Sequence, residues 1–246
     1  VSAPPCASHL HLVTACRAAN PRPDSYGSLA EARGSASERR GAGDTQDSVE
    51  RASKLVRMAV ASGTTFIRTH VDVDTASGLG PTKAVLMVRE AFKGAVDIQV
   101  VAFPQQGILK DPGVEGLLRE AMYLGADIVG GMPANEASPD DSRKHIDIAF
   151  AIAREFDVDV DMHIDETDDA KSRTLEMLAD KTIAEGYEGR VTAGHACAMS
   201  VYPHEYAAMV MAKIKRGGIG LVTNPATNLI LQGRGKRSPK GRGIAR

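Results

Sequence analysis

From residue 46 to residue 223 the chain alternates between helix-like and strand-like runs, and this alternation most limits the folds open to it. Residues 46–63 place Val49, Ala52, Val56, Ala59 and Val60 on one helical face. Helical patterning returns over 82–94, 114–124, 141–156, 170–185 and 201–215. Strand candidates lie between, at 64–69, 97–103, 127–129, 158–162, 190–193 and 219–223. The run DIQVVAF at Asp97–Phe103 lacks polar alternation, as expected of a strand buried on both faces. A further candidate at Ala7–Leu12 would make seven strands. Units repeating every about 25–35 residues are the βαβ signature of a parallel sheet. An open doubly wound sheet and a (β/α)8 barrel both fit, and the repeat alone does not choose between them.

Two segments depart from the pattern. Residues 17–48 are rich in Gly, Ser, Arg and Ala and poor in large apolar side chains, which predicts an irregular insertion or loop within a single domain spanning 1–246. Residues 233–246 hold six basic side chains and no acid, but no aromatics are interleaved for base stacking, so a solvated end is expected. Charge excludes other classes. Thirty Lys and Arg stand against 31 Asp and Glu, a net charge of −1, which argues against a nucleic-acid binder. No apolar run reaches the about 18 residues of a membrane span. The three cysteines, Cys6, Cys16 and Cys197, form no CxxC, which points to a reducing, cytoplasmic setting.

In parallel α/β folds ligands meet the carboxyl ends of the strands. Here those ends carry His9 and His11, His70, Gln105, His163 with Glu166, His195, and Asn224. Five of the seven histidines therefore fall where chemistry is expected; His145 and His204, in or beside helices, read as structural or solvated. His9 and His11 share one strand face by the period-two rule, and two imidazoles on one face can bind one divalent ion, zinc or iron. HxH alone is a weak signal. His163 and His195 at later strand ends strengthen it. Glu166, three residues past His163, has the type and place of a proton acceptor for a water. Asp168 and Asp169 read as caps of the next helix. Gln105 can both donate to and accept from a ring edge, although Pro104 and Gly107 equally allow a plain turn there, and His70 with Asp72 reads as packing beneath the ion rather than binding it.

Longer stretches carry a resemblance. SHLHL at 8–12, GTTFIRTHVDVD at 63–74, IQVVAFPQQGIL at 98–109, LGADIVGGMP at 124–133, VDMHIDETDD at 160–169, VTAGHACAM at 191–199 and NPATNLILQGR at 224–234 resemble the cytosine deaminase branch of the metal-dependent amidohydrolase superfamily, in the same order. The resemblance implies a (β/α)8 TIM-type barrel and one Zn or Fe ion held by His9, His11 and His163. It implies Glu166 as proton shuttle, His195 as the group that activates or orients the hydrolytic water, and Gln105 against a pyrimidine-like ring. The implied reaction is hydrolysis of a non-peptide C–N bond in a cyclic amidine, releasing ammonia from a small nitrogen heterocycle. A homo-oligomer is compatible with the branch.

Three departures stand out. Val13 follows HxHL where the branch usually has Asp, and residues 17–48 replace a more regular helical segment. The branch's last metal ligand, an Asp at strand eight, and its small terminal β-domain fall outside the 246 residues. We therefore expect an incomplete barrel, a fragment of an active enzyme. The rival expectation is a truncated or decayed paralogue that binds metal or ligand without catalysis.

Overall fold

A computed structural model describes residues 6–16 and 45–231. Seven strands, β1 (Cys6–Leu10), β2 (Phe66–Asp72), β3 (Asp97–Phe103), β4 (Ile128–Gly131), β5 (Asp159–Ile164), β6 (Val191–His195) and β7 (Gly220–Val222), form one sheet in sequential order. Every neighbouring pair is parallel. Helices α1 (Thr45–Ala61), α2 (Gly80–Ala91), α3 (Val114–Leu124), α4 (Pro139–Phe156), α5 (Thr174–Glu185), α6 (His204–Arg216) and α7 (Pro225–Leu231) follow the strands in turn. A doubly wound sheet reverses its strand order at a switch point. This order never reverses, so the fold is a nearly closed (β/α) barrel, with seven strands among the described residues.

The irregular segment expected at 17–48 ends earlier than that, because α1 already begins at Thr45. Residues 17–44 and the basic run at 233–246 lie outside the described residues. Helix α4 starts two residues before its apolar pattern does. Ser138 caps it by accepting from the Asp141 N–H at 3.1 Å, and Pro139 occupies the first turn. No helix among the described residues is long and apolar enough to cross a membrane.

The helices pack onto the sheet through one apolar cluster. Ile67, Val71, Ile98, Val100, Val160 and Ile164 from the strands join Val85, Leu118, Phe150 and Leu178 from the helices, all buried. The barrel interior is different. Arg68 on β2 donates to Gln99 on β3 (2.8 Å), Asp161 on β5 (2.8 Å) and Thr192 on β6 (3.2 Å), so four strands meet in one polar layer. The second oxygen of Asp161 meets His70 Nε2 at 3.2 Å. The Asp161 side chain is only 1% exposed, so removing it strands a largely buried guanidinium. We expect Asp161→Ala to lose about 3–5 kcal/mol of stability in a denaturant titration. A loss below about 1 kcal/mol, the range of exposed pairs, would mean that water already solvates Arg68.

Candidate metal centre and catalytic site

The histidines of β1, β2, β5 and β6 converge at the carboxyl ends of the strands. The His9 ring centroid lies 5.4 Å from that of His11, 4.6 Å from His163, 4.3 Å from His70 and 4.8 Å from His195. His9, His11, His70 and His163 each offer one nitrogen to a set whose members all lie within 4.8 Å of one another. The sequence makes room for this. Gly194 on β6 faces His9, and a Cβ there would come within 3.2 Å of His9 Cε1. Phe103 closes one side, its ring 4.2 Å from that of His163.

Among the described residues, His9 Nδ1 and Nε2, His70 Nδ1 and His163 Nε2 are buried without a hydrogen-bond partner. Buried polar nitrogens are normally satisfied. Several bare imidazole nitrogens in one place, of a type that suits zinc or iron, fit a divalent ion. Their protonation fits as well. Burial, reinforced by the neighbouring imidazoles, holds His9, His11 and His163 well below the ordinary imidazole pKa, in the neutral form that metals require.

The same burial predicts a pH dependence. His145 is also held low, mainly by burial. In the unfolded chain these four imidazoles titrate near about 6.5. Below that pH the unfolded state takes up protons that the folded state refuses, so stability is full above about pH 6.5 and falls as the pH drops below it. The melting temperature of chelator-treated protein should be lower at about pH 5 than at about pH 7.5. An equal or higher value at the acid pH would contradict the buried, neutral assignment.

Glu166 lies between two of the histidines. Its Oε2 is 3.7 Å from His163 Nδ1 and its Oε1 is 3.4 Å from His195 Nδ1. All three side chains are buried, and they form a second group able to hold an ion. Asn228, in the middle of α7, places its carboxamide against His195 Nδ1, with Nδ2 at 3.1 Å and Oδ1 at 3.4 Å. The charge of Glu166 also acts on Cys197: burial, with this carboxylate nearby, pushes the thiol up to about 12, so it stays protonated.

The caps assigned to Asp168 and Asp169 are corrected by the structure. Helix α5 begins only at Thr174, and Asp165 caps it, accepting from the N–H groups of Thr174 (3.0 Å) and Leu175 (3.1 Å). Asp169 instead accepts from Lys171 N–H within the loop. Asp165 also accepts from the hydroxyls of Ser172, Thr174 and Tyr202. This clamp holds the backbone on either side of Glu166. Asp165 (φ 46°), His195 (φ 70°) and Ala196 (φ 48°) are all left-handed without being glycine. Such conformations cost on the order of 1–3 kcal/mol each and persist where the surroundings dictate them. Here they do: Ala196 N–H donates to Ile164 O at 3.0 Å, and Ala198 N–H to Asp165 O at 3.1 Å.

Gln105 lies in the turn after β3, partly buried, its Nε2 3.4 Å from Met132 Sδ. Asp72 ends β2 beside Phe103 and is buried. The carboxylate that meets His70 is Asp161, which the motif reading did not single out. Asp165 and Asn228 were likewise not singled out. Their motifs, HIDE and NPATN, were the only available signal.

A (β/α) barrel with histidines and a carboxylate gathered at its strand ends is the architecture of the metal-dependent amidohydrolase superfamily. The model of the "Amidohydrolase family" matches residues 8–246, and the chain belongs to that family. It is 39% identical over 167 residues to the N-isopropylammelide isopropyl amidohydrolase of Pseudomonas sp. (strain ADP), covering 68% of this chain and 41% of that one. To a pterin deaminase of Rhizobium rhizogenes it is 32% identical over 235 residues, 93% of this chain and 51% of the relative. The crystal structure of 5-methylcytosine deaminase from Klebsiella pneumoniae liganded with 5-fluorocytosine superimposes with a TM-score of 0.92 at 36% identity, over 97% of this chain and 57% of that one. The chain thus spans about half the length of the curated relatives it matches.

Proposed function

We propose that the chain carries the metal centre and most of the catalytic groups of a hydrolytic deaminase acting on a cyclic amidine in a nitrogen heterocycle, cytosine-like, with release of ammonia. The observation that carries this reading is the meeting of three neutral histidines, the half-buried His9 and His11 and the buried His163, with a buried carboxylate, Glu166, that also faces His195. His9, His11 and His163 would hold one divalent ion, zinc or iron, while His70 and Asp72 pack around it. When bound, such an ion makes a water acidic enough to lose a proton near neutral pH.

Glu166 accepts the first proton of the water and delivers it to the ring nitrogen beside the amine-bearing carbon. A C–O bond forms at that carbon. His195, held by Asn228, orients the water and stabilises the charge that develops on the oxygen. The second proton passes to the exocyclic nitrogen, the C–N bond breaks, and ammonia leaves a ring carbonyl behind. Gln105 reads the ring edge with its donor and acceptor.

A second reading concerns the leaving group. The relative at 39% identity is named for an isopropyl amidohydrolase reaction, which supports release of an alkylamine in place of ammonia. The same groups serve both, because only the substituent on the departing nitrogen differs. Assaying ammonia and alkylamine release from cytosine, 5-methylcytosine, pterin and N-isopropylammelide separates the two. We expect metal-dependent release from at least one of these rings, and ammonia as the product.

A further inference from the structure

Glu136 and His145 lie outside the metal centre, yet they are among the most fully sealed polar side chains in the barrel, 1% and 0% exposed. Glu136 sits in the loop after β4, and His145 lies on α4. Three successive backbone N–H groups of the loop after β3 converge on the Glu136 carboxylate. Ile108 (2.6 Å) and Leu109 (3.2 Å) donate to Oε1, and Lys110 (3.1 Å) donates to Oε2. His145 Nδ1 meets Oε1 at 2.7 Å. The tautomer follows from the other ring nitrogen. His145 Nε2 accepts from Met132 N–H at 3.1 Å, so the proton sits on Nδ1 and is donated to Glu136.

The loop gathered in this way is the one that carries Gln105. Asn135 Nδ2 donates to the Gln105 carbonyl at 3.0 Å, and Lys110 Nζ donates to the Asn135 carbonyl at 2.8 Å. Gln105 Nε2 contacts Met132 Sδ, and the backbone of Met132 is itself fixed by His145. Both the main chain and the side chain of Gln105 are therefore tied to the Glu136–His145 pair. Gly107, between Gln105 and the three N–H donors, has φ of +100°, and a Cβ there would lie 2.7 Å from Glu136 Oε1. Only glycine lets the loop close this tightly on the carboxylate.

We propose that Glu136 and His145 are positioning residues: as a neutral-imidazole–carboxylate clamp they fold the loop after β3 and fix the angle at which the Gln105 carboxamide meets the substrate ring. The proposal rests on the reading of Gln105 as the ring-contacting residue. Burial disfavours the Glu136 charge, but the hydrogen bonds from His145 and from the Leu109 and Ile108 N–H groups outweigh it and hold the carboxyl below its ordinary value. Burial holds His145 below its own, so at neutral pH the pair is carboxylate and neutral imidazole. A carboxylate with several convergent donors holds a loop more rigidly than neutral hydrogen bonds would.

The test uses Glu136→Ala, the milder Glu136→Gln, and Gly107→Ala, which presses on the same contact from the opposite side. Each is made in the protein from its complete reading frame, with and without Gln105→Ala. The first readout is the side-chain amide signal of Gln105 in a proton–nitrogen NMR spectrum, assigned by its loss in Gln105→Ala, with the amide of Gln99 in the barrel interior as reference. The second is the split between kcat and KM for ammonia release from cytosine. We expect the Gln105 amide to shift or broaden while Gln99 stays put. In Glu136→Ala we expect kcat/KM to fall by up to about 10²-fold, the scale of an ångström-sized misplacement, with an intermediate fall in Glu136→Gln. In the Gln105→Ala background the same changes should cost less than about twofold, because a clamp that acts through Gln105 has nothing left to position. If Glu136→Ala does not fold, Glu136→Gln and Gly107→Ala carry the same comparisons. An unmoved Gln105 amide in the folded variants, or losses that add in full to that of Gln105→Ala, would overturn the clamp alone. A cytosine rate indifferent to Gln105→Ala, with the amide shifts present, would overturn the reading of Gln105 and with it the clamp's part in turnover.

Discussion

Replacing Glu166 by Gln should remove turnover almost completely while leaving the metal content near one ion per chain. The substitution keeps the volume of the side chain and its place between His163 and His195, at 3.7 and 3.4 Å, but takes away the carboxylate proposed to accept and return protons. General acid–base catalysis by one side chain contributes about 10²–10⁴-fold, and a carboxylate that acts twice in one cycle belongs at or above the top of that range. Elemental analysis beside a steady-state assay reads both quantities. Near-normal turnover would move the proton transfer to another group. Loss of metal together with activity would make Glu166 a ligand, as its place in the His163–Glu166–His195 group also allows.

The second large effect concerns the ion. His163→Ala removes a nitrogen from the centre of both metal-competent groups, so affinity should fall by more than the about 10–100-fold that loss of an outer partner costs. The barrel should survive, since among the described residues the His163 side chain makes no hydrogen bond to the sheet, only its ion-pair contact with Glu166. Competition with a chelator of known affinity measures the change, and circular dichroism checks the fold. Unchanged affinity would place the ion elsewhere among the histidines, with His70 the first alternative, because its Nδ1 faces the same set.

Much of the architecture was legible because the apolar runs carry their own punctuation. Strand 97–103 stops at Pro104, and helix 114–124 stands between Gly113 and Gly125, so both were read with the bounds the structure has. Strands β2 and β5 run further than their reading, to Asp72 and Ile164. The reason is the barrel interior: Arg68, His70 and His163 point inward and interrupt the apolar pattern that marks a strand. The gathering of histidines could be anticipated because strand ends in parallel α/β folds share one face. Their supports could not. Arg68 and Asp161 are 93 residues apart, and Glu136 meets the loop at 108–110 across 26 to 28 residues. Such pairings depend on how neighbouring strands bring their loops together, which local periodicity does not encode. The cap of α5 failed for a related reason. Asp165 reaches forward nine residues to Thr174, further than the usual spacing of a cap.

The most direct test of the central claim, that His9, His11 and His163 hold an ion which works with Glu166 in hydrolytic deamination, is an oxygen-18 experiment. The protein from its complete reading frame, loaded with zinc or iron, is incubated in labelled water with cytosine, 5-methylcytosine and pterin, and the products are weighed by mass spectrometry while ammonia is counted. The account predicts one labelled oxygen at the carbon that bore the amine and one ammonia per product, with neither formed after chelation. A protein that binds one ion per chain yet releases no ammonia and incorporates no label from any of these rings would contradict it.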